Sequence, residues 1–194
     1  MKISPILTQL REQCPGLADH IAVGVDLALL QENPNLPTPS AHVTPLADVA
    51  SASSAQNLIL QPIRDRFDIV LALDASDATK ALDLLHDLRA ELWRALVGFK
   101  PGNDYSAIVY DGGELVSLNS SRAFYRLRFF AEFQLGRNLP DQPAQSWHER
   151  ELDALASFTG ATVRVDAIDP ADPNLKRPGP DGRVEMTFSG DVTP

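Results

Sequence analysis

Apolar residues along this chain recur at two periods, and the switches between them mark its elements. From Leu58 to Asp74, Ile59, Ile63, Phe67, Ile69, Leu71 and Leu73 share one parity, so one face of a strand is apolar; Arg64, Arg66 and Asp68 take the other. The period then changes. Ala78, Ala81, Leu82, Leu85, Leu88, Leu92, Ala95, Leu96 and Phe99 form one broad helical stripe. Asp74, Ser76 or Asp77 is available as its cap, and Gly98 with Pro101-Gly102 ends it. Asp83, Asp87, Ala90 and Arg94 lie opposite the stripe, with Glu91 nearby, which points Asp87 and Glu91 to solvent or a partner. Arg89 lies near the stripe, placed to run along the core edge, to stack on Trp93 or to pair with a carboxylate.

The strongest alternation runs from Arg122 to Leu135. Ala123, Tyr125, Leu127, Phe129, Ala131, Phe133 and Leu135 make an uninterrupted apolar face, and the other face mixes Arg122, Arg126, Arg128, Glu132 and Gln134 with Phe124 and Phe130. Two shorter strands, 107–110 and 113–118, precede it, with Asp111-Gly112-Gly113 as a turn between them and Asn119-Ser120 as a second turn. Upstream, Ser4 as N-cap and Pro5 at the first helical position open a short helix with Ile3, Leu7, Leu10 and Cys14 on its stripe, stopped by Pro15-Gly16. Residues 26–32 fit another short helix. Residues 41–47 fit a strand that Pro45 assigns to a sheet edge, and 48–57, small and polar, a mobile loop. Residues 136–145 have linker composition; 147–158 fit a helix with Leu152, Leu155 and Phe158 on one side; 162–168 and 183–188 fit a strand pair joined through the Pro- and Asp-rich 169–181. The sum is an α+β fold, a mixed or antiparallel sheet flanked by helices, with a C-terminal extension. The expected division is 1–137 and 138–194.

Composition limits what such a fold does. The chain has 194 residues, 44% hydrophobic and 22% charged, enough for one domain or one with a small annex. No run is long enough to span a bilayer, and the first residues carry no apolar signal block, so cytoplasmic synthesis without export and without a membrane partner is expected. Cys14 is the single cysteine, which removes intrachain disulfides and cysteine-based zinc sites; on an apolar stripe it reads as a buried thiol. The net charge of −9 opposes a DNA-coating role. The charge is uneven: residues 119–137 hold Arg122, Arg126, Arg128 and Arg137 against Glu132, and 138–194 carry excess acid.

Chemistry-bearing motifs are weak. His20, His42, His86 and His148 show no metal-pair spacing, Trp147-His148-Glu149 lacks the second histidine of a zincin, and no Gly-x-Ser-x-Gly elbow is present. Gly98-Phe99-Lys100-Pro101-Gly102 follows a helix, whereas a phosphate loop precedes one. Asp111 to Glu114 lacks EF-hand spacing. The Arg/Phe face of 122–135 does not match the RRM strand pattern and fits an interface or a helix-covered face better. No catalytic, cofactor-binding or metal-binding residues are assigned, and no cofactor is expected. An edge strand, a polar loop and a two-faced strand suit a subunit that assembles. The expected contact residues are His42, Thr44, Asp48, Ser51, Ser53, Ser54, Gln56, Arg64, Arg66, Arg126 and Arg128.

The stretches LHDLRAELWRALVGFKP, YDGGELVSL and RAFYRLRFFAEFQLG, after the opening MKISPILTQLREQCPGL, resemble the tail terminator proteins of Mu-like and lambda-like long-tailed phages and prophages over about residues 1–137. The resemblance implies a non-enzymatic virion protein, assembled in the bacterial cytoplasm. It implies a hexameric ring at the head-proximal end of the tail tube, which stops tube polymerisation. The partners implied are further copies of the chain, the tail tube protein and a neck or head-completion protein, with genome DNA passing through unbound. Residues 41–47 then serve as an edge for a neighbour's sheet. Two alternatives stay open: a neck or tail-completion protein of related fold, and a small enzyme or nucleic-acid-binding protein.

Overall fold

The computed structural model describes residues 1–17, 20–24, 26–53, 60–119, 121–137, 141–156, 158–165, 184 and 186–191. Its elements are α1 (Ser4–Gln13), β1 (Ile21–Val23), α2 (Leu27–Glu32), β2 (Ser40–Pro45), β3 (Val49–Ala50), β4 (Gln61–Asp74), α3 (Ala78–Leu96), β5 (Val109–Leu118), β6 (Arg122–Leu135), α4 (Trp147–Asp153), β7 (Gly160–Val165) and β8 (Met186–Asp191). The chain divides into two compact units, Met1–Arg150 and Glu151–Pro194.

In the first unit the strands form one mixed sheet in the order β1-β2-β4-β6-β5, with β3 also on β4. β1 and β2 run parallel; the other pairs are antiparallel. β4 and β6 pair along their whole lengths, from Gln61 opposite Leu135 to Asp74 opposite Arg122. That register puts the two apolar parities on one face, where α1 and α3 cover them. Ile6, Leu10 and Cys14 of α1 and Leu88, Leu92, Ala95 and Leu96 of α3 pack with Phe67, Ile69, Leu71, Leu127, Phe129 and Ala131. Phe67 stacks on Phe129 with ring centroids 5.5 Å apart. Each such fully buried side chain is worth about 1.5–3 kcal/mol of transfer free energy. Asp77 caps α3 by accepting the N–H groups of Thr79 and Lys80.

Several expectations are corrected. Ser4 is the first residue of α1; Ile3 precedes it and no side chain caps the helix, so Pro5 alone marks the start. β2 is not an edge strand. β1 pairs with it from Ala41 to Val43, and Pro45 is tolerated because it lies beyond the end of β1. Residues 48–53 are not a free loop: Val49 and Ala50 pair with Arg64 and Ile63, and Ser51 donates to the Pro62 carbonyl. The rest of the predicted loop, 54–57, and the strand start at Leu58 and Ile59 fall outside the described residues.

Asp111-Gly112-Gly113 is not a turn. β5 runs continuously through it and slips register between Tyr110 and Gly112, and again between Leu115 and Ser117. Gly112 takes φ +136°, which a bulge requires and a side chain resists. A Cβ on Gly113 would stand 2.7 Å from the Tyr110 hydroxyl and 2.9 Å from the Tyr125 ring. Bulges and hairpin turns use the same residues for the same backbone reason. Leu82, expected on the buried stripe, is 67% exposed.

In the second unit, β7 and β8 pair antiparallel, Val163 opposite Phe188. The expected strands were 162–168 and 183–188; residues 166–183, with the predicted 169–181 connection, fall outside the described residues. α4 is shorter than expected. Ala154 and Leu155 donate back three residues, tightening the chain out of the helix before Phe158.

Candidate assembly face of the sheet

The face of β4 and β6 turned away from α1 and α3 carries the even-numbered residues, and pairing brings opposite charges together. Arg64 stands opposite Glu132 and donates to its Oε1 from Nε (2.9 Å) and Nη2 (2.8 Å), with its guanidinium 4.1 Å from the Phe130 ring centroid. Arg66 lies 4.0 Å from Asp111. Asp68 stands opposite Arg128, with Arg126 Nε 3.3 Å and Arg128 Nε 3.9 Å away. Glu114 of β5 accepts from both arginines, Arg128 at 2.7 Å and Arg126 at 3.3 Å. The first β5 bulge lets Asp111 serve this face as well as Glu114. The result is a ladder of four arginines and four carboxylates along three strands.

Asp68 is the buried member, 5% exposed. Burial pushes its carboxyl above the usual range, and Arg126, Arg128 and Arg66 pull it back without cancelling the effect. Among the described residues, Asp68 Oδ1 and Arg126 Nε have no hydrogen-bond partner: charge proximity holds them without aligned hydrogen bonds. Beyond Arg126 the face turns apolar. Val70, Ala72, Phe124 and Leu36 form a second cluster, roofed by Leu27 and Leu30 of α2. Arg122 fastens that roof, donating to the carbonyls of Asn33, Pro34 (2.7 Å) and Leu36 (3.3 Å).

Of the contact residues expected from sequence, Arg64, Arg66, Arg126 and Arg128 share this ladder. Thr44 stands opposite Asp68 on the adjoining strand, half-buried. His42 is 7% exposed with its Nε2 3.1 Å from Ser40 Oγ, and desolvation lowers its pKa. Asp48, Ser51 and Ser53 are exposed beside β3. Ser54 and Gln56 fall outside the described residues. Pairing within the face engages the arginines that made it a nucleic-acid candidate.

In the polar stretch at 86–91, His86 and Asp87 are exposed and Arg89 is half-buried. Arg89 lies over Trp93, 4.9 Å from the ring centroid, with His86 Nδ1 3.4 Å away. Half-buried Glu91 has its partner in the backbone of Gly16, whose N–H its Oε2 accepts at 3.1 Å. No group of three or more His, Cys, Asp or Glu among the described residues is arranged to hold a metal ion. Glu149 is a residue the apolar periodicity passes over. Buried, it accepts the N–H groups of Arg137 (2.6 Å), Gln145 (2.7 Å) and Ser146 (3.1 Å), which hold its carboxyl below the usual range. The Ser146-x-x-Glu149 spacing of a capping box is its sequence signal.

A helix-backed mixed sheet whose open face carries a self-paired charge ladder is an α+β structural domain. Residues 1–141 match the family described as phage tail terminator protein, and the chain belongs to that family. It is thereby a structural protein of the bacteriophage tail, a virion component. No curated protein matches the chain. Among solved structures it is similar to a chain in "Virion of native gene transfer agent (GTA) particle", at 16% identity and a TM-score of 0.42, covering 66% of this chain and 90% of that one.

Proposed function

We propose that this chain forms a ring, six copies in number, on the head-proximal end of the phage tail tube, where it stops tube polymerisation and presents a surface to the neck and head-completion proteins. Membership of the terminator family over residues 1–141 is the observation that carries it. A ring needs a heterologous contact that closes by rotation. Exposed Asp48, Ser51 and Ser53, pinned beside β3, supply a small polar surface for the tube, and the edge open to a neighbouring copy is β1, since β1 occupies that of β2. Genome DNA passes through the channel without specific binding, in keeping with the net charge of −9 and the pairing of the sheet arginines. Residues 1–137 form the ring-building part and 138–194 an extension that reaches a neighbouring subunit or a neck protein. Assembly takes place in the bacterial cytoplasm.

Electron microscopy of the purified chain mixed with tail tubes tests this: six-fold rings at one tube end are expected. A phage lacking the gene is expected to make overlong tails. Tails of normal length that fail to join heads would instead make the chain a neck protein.

A further inference from the structure

The charge ladder has one member out of reach of water. Asp68 is 5% exposed, whereas the side chains it shares charge with, Arg126, Arg128 and Glu114, are 24%, 38% and 52% exposed. The strands around it fix what it faces. β2 places Thr44 opposite it, with His42 two residues along on the same side and turned to Ser40 Oγ at 3.1 Å. On β4 itself Arg66 precedes it by two residues, paired with Asp111 of β5 at 4.0 Å. β6 sets Arg128 directly opposite and Arg126 beside it, and Glu114 of β5 bridges those two arginines. Arg126 Nε lies 3.3 Å from Asp68 Oδ2 and Arg128 Nε 3.9 Å from Oδ1, and neither contact is an aligned hydrogen bond.

A buried carboxylate keeps its charge cheaply only where hydrogen bonds replace its water. Oδ1 of Asp68 has no such bond among the described residues, so attraction without alignment is all that holds it. Desolvation outweighs the three nearby arginines, with Glu114 adding its repulsion, and the carboxyl sits above its ordinary value of 3.8. Its protonation changes the balance of the face. Arg126 and Arg128 share two carboxylates, Asp68 and Glu114; with Asp68 neutral they share one, and both arginines reach solvent. We propose that Asp68 is a proton-operated switch in the charge of this face: ionised, it balances Arg126 and Arg128 together with Glu114; protonated, it leaves the two arginines one carboxylate short and open to an external anion. This is independent of the ring assignment.

The probe is heparin, a sulfated polyanion, titrated against the full chain from neutral pH down to about 4, near the ordinary carboxylate value. Circular dichroism at each pH confirms that the chain is folded. Asp68→Asn holds the uncharged state throughout. At neutral pH it is expected to bind heparin about two- to fivefold more tightly than the wild type, the factor that one released surface pair is worth. The gap is expected to close as pH falls, because the wild type then carries the same uncharged side chain. Arg126→Ala with Arg128→Ala, added to Asp68→Asn, is expected to remove the gain, and His42→Asn to leave the closing of the gap in place. A carboxyl carbon NMR titration of Asp68 in the wild type needs no variant at that position. Its midpoint is expected above 3.8, higher still in Arg128→Ala and lower in Glu114→Gln. A midpoint at or below 3.8, equal heparin binding of the wild type and Asp68→Asn at neutral pH, or a gap that persists to the acid end overturns the proposal.

Discussion

Glu91, in the middle of α3, accepts the backbone N–H of Gly16, 75 residues earlier in the chain. The contact ties the turn after α1 to α3, and a Cβ at Gly16 would stand 3.0 Å from Glu91 Oε2 and Leu88 Cδ2. Glu91→Ala is expected to lower stability by about 1.5 kcal/mol, the low end of the value of a hydrogen bond to a charged group because the contact is exposed. Urea unfolding at unchanged m-value measures it; no shift of the midpoint would mean that the tie is not energetic.

Phe129 joins the layers of the core. It stacks on Phe67, tilts against Tyr110 at 5.4 Å, and is 1% exposed. Phe129→Ala is expected to cost about 3–5 kcal/mol. Phe130→Ala, one residue along on the other face, is expected to cost much less, which calorimetry of the two variants compares directly.

The charge ladder predicts two outcomes for Arg126→Ala. Asp68 loses a close partner at a buried position, for a loss of about 1–3 kcal/mol. Retention of duplex DNA at physiological salt is expected to be negligible in the wild type and unchanged by Arg126→Ala with Arg128→Ala. Steep, salt-sensitive DNA binding abolished by the pair would return the face to nucleic acid.

His42 makes stability depend on pH with a definite sign. Burial lowers its pKa from 6.5, so the unfolded chain takes up the proton first. Its contribution is complete above about pH 6.5 and is lost as pH falls towards the depressed folded value. Glu149 acts in the same direction lower down: its pKa lies below 4.5 in the fold, so its contribution disappears as pH falls through that region. The urea midpoint is expected to fall between neutral pH and pH about 5, by less in His42→Asn.

Cys14 is fully buried, and desolvation, aided by Glu91, raises its pKa to about 11. The native thiol is expected to resist an aromatic disulfide reagent, reacting only at the rate of unfolding and completely in denaturant. Fast native labelling would mean that α1 opens easily.

β6 and α3 were legible from period alone, because each packs one continuous apolar face on a single partner layer. So was the strand parity of β4 from Ile63 on. The charge ladder was not: alternation places Arg126 and Arg128 on a face but is blind to Asp111 and Glu114, which reach them through a bulge whose Asp-Gly-Gly reads equally as a turn. β1 is too short to show a period, and without it Pro45 makes β2 look like an edge. Glu91 sits on a flank of its helix, where the partner that gives it a role lies far off in sequence. The four sheet arginines were expected as contacts between subunits, an assignment open until a ring is seen.

The doubled slip in β5 has a further effect. Its ten residues span only eight of β6, Ala123 to Phe130, so the outer border of the sheet is crimped and its free amides and carbonyls lose even spacing. A straight strand from another molecule finds no matching row there, and stacks of sheets cannot grow from that side. Association through this border is therefore left to side chains, which can tell one neighbour from another where bare backbone cannot.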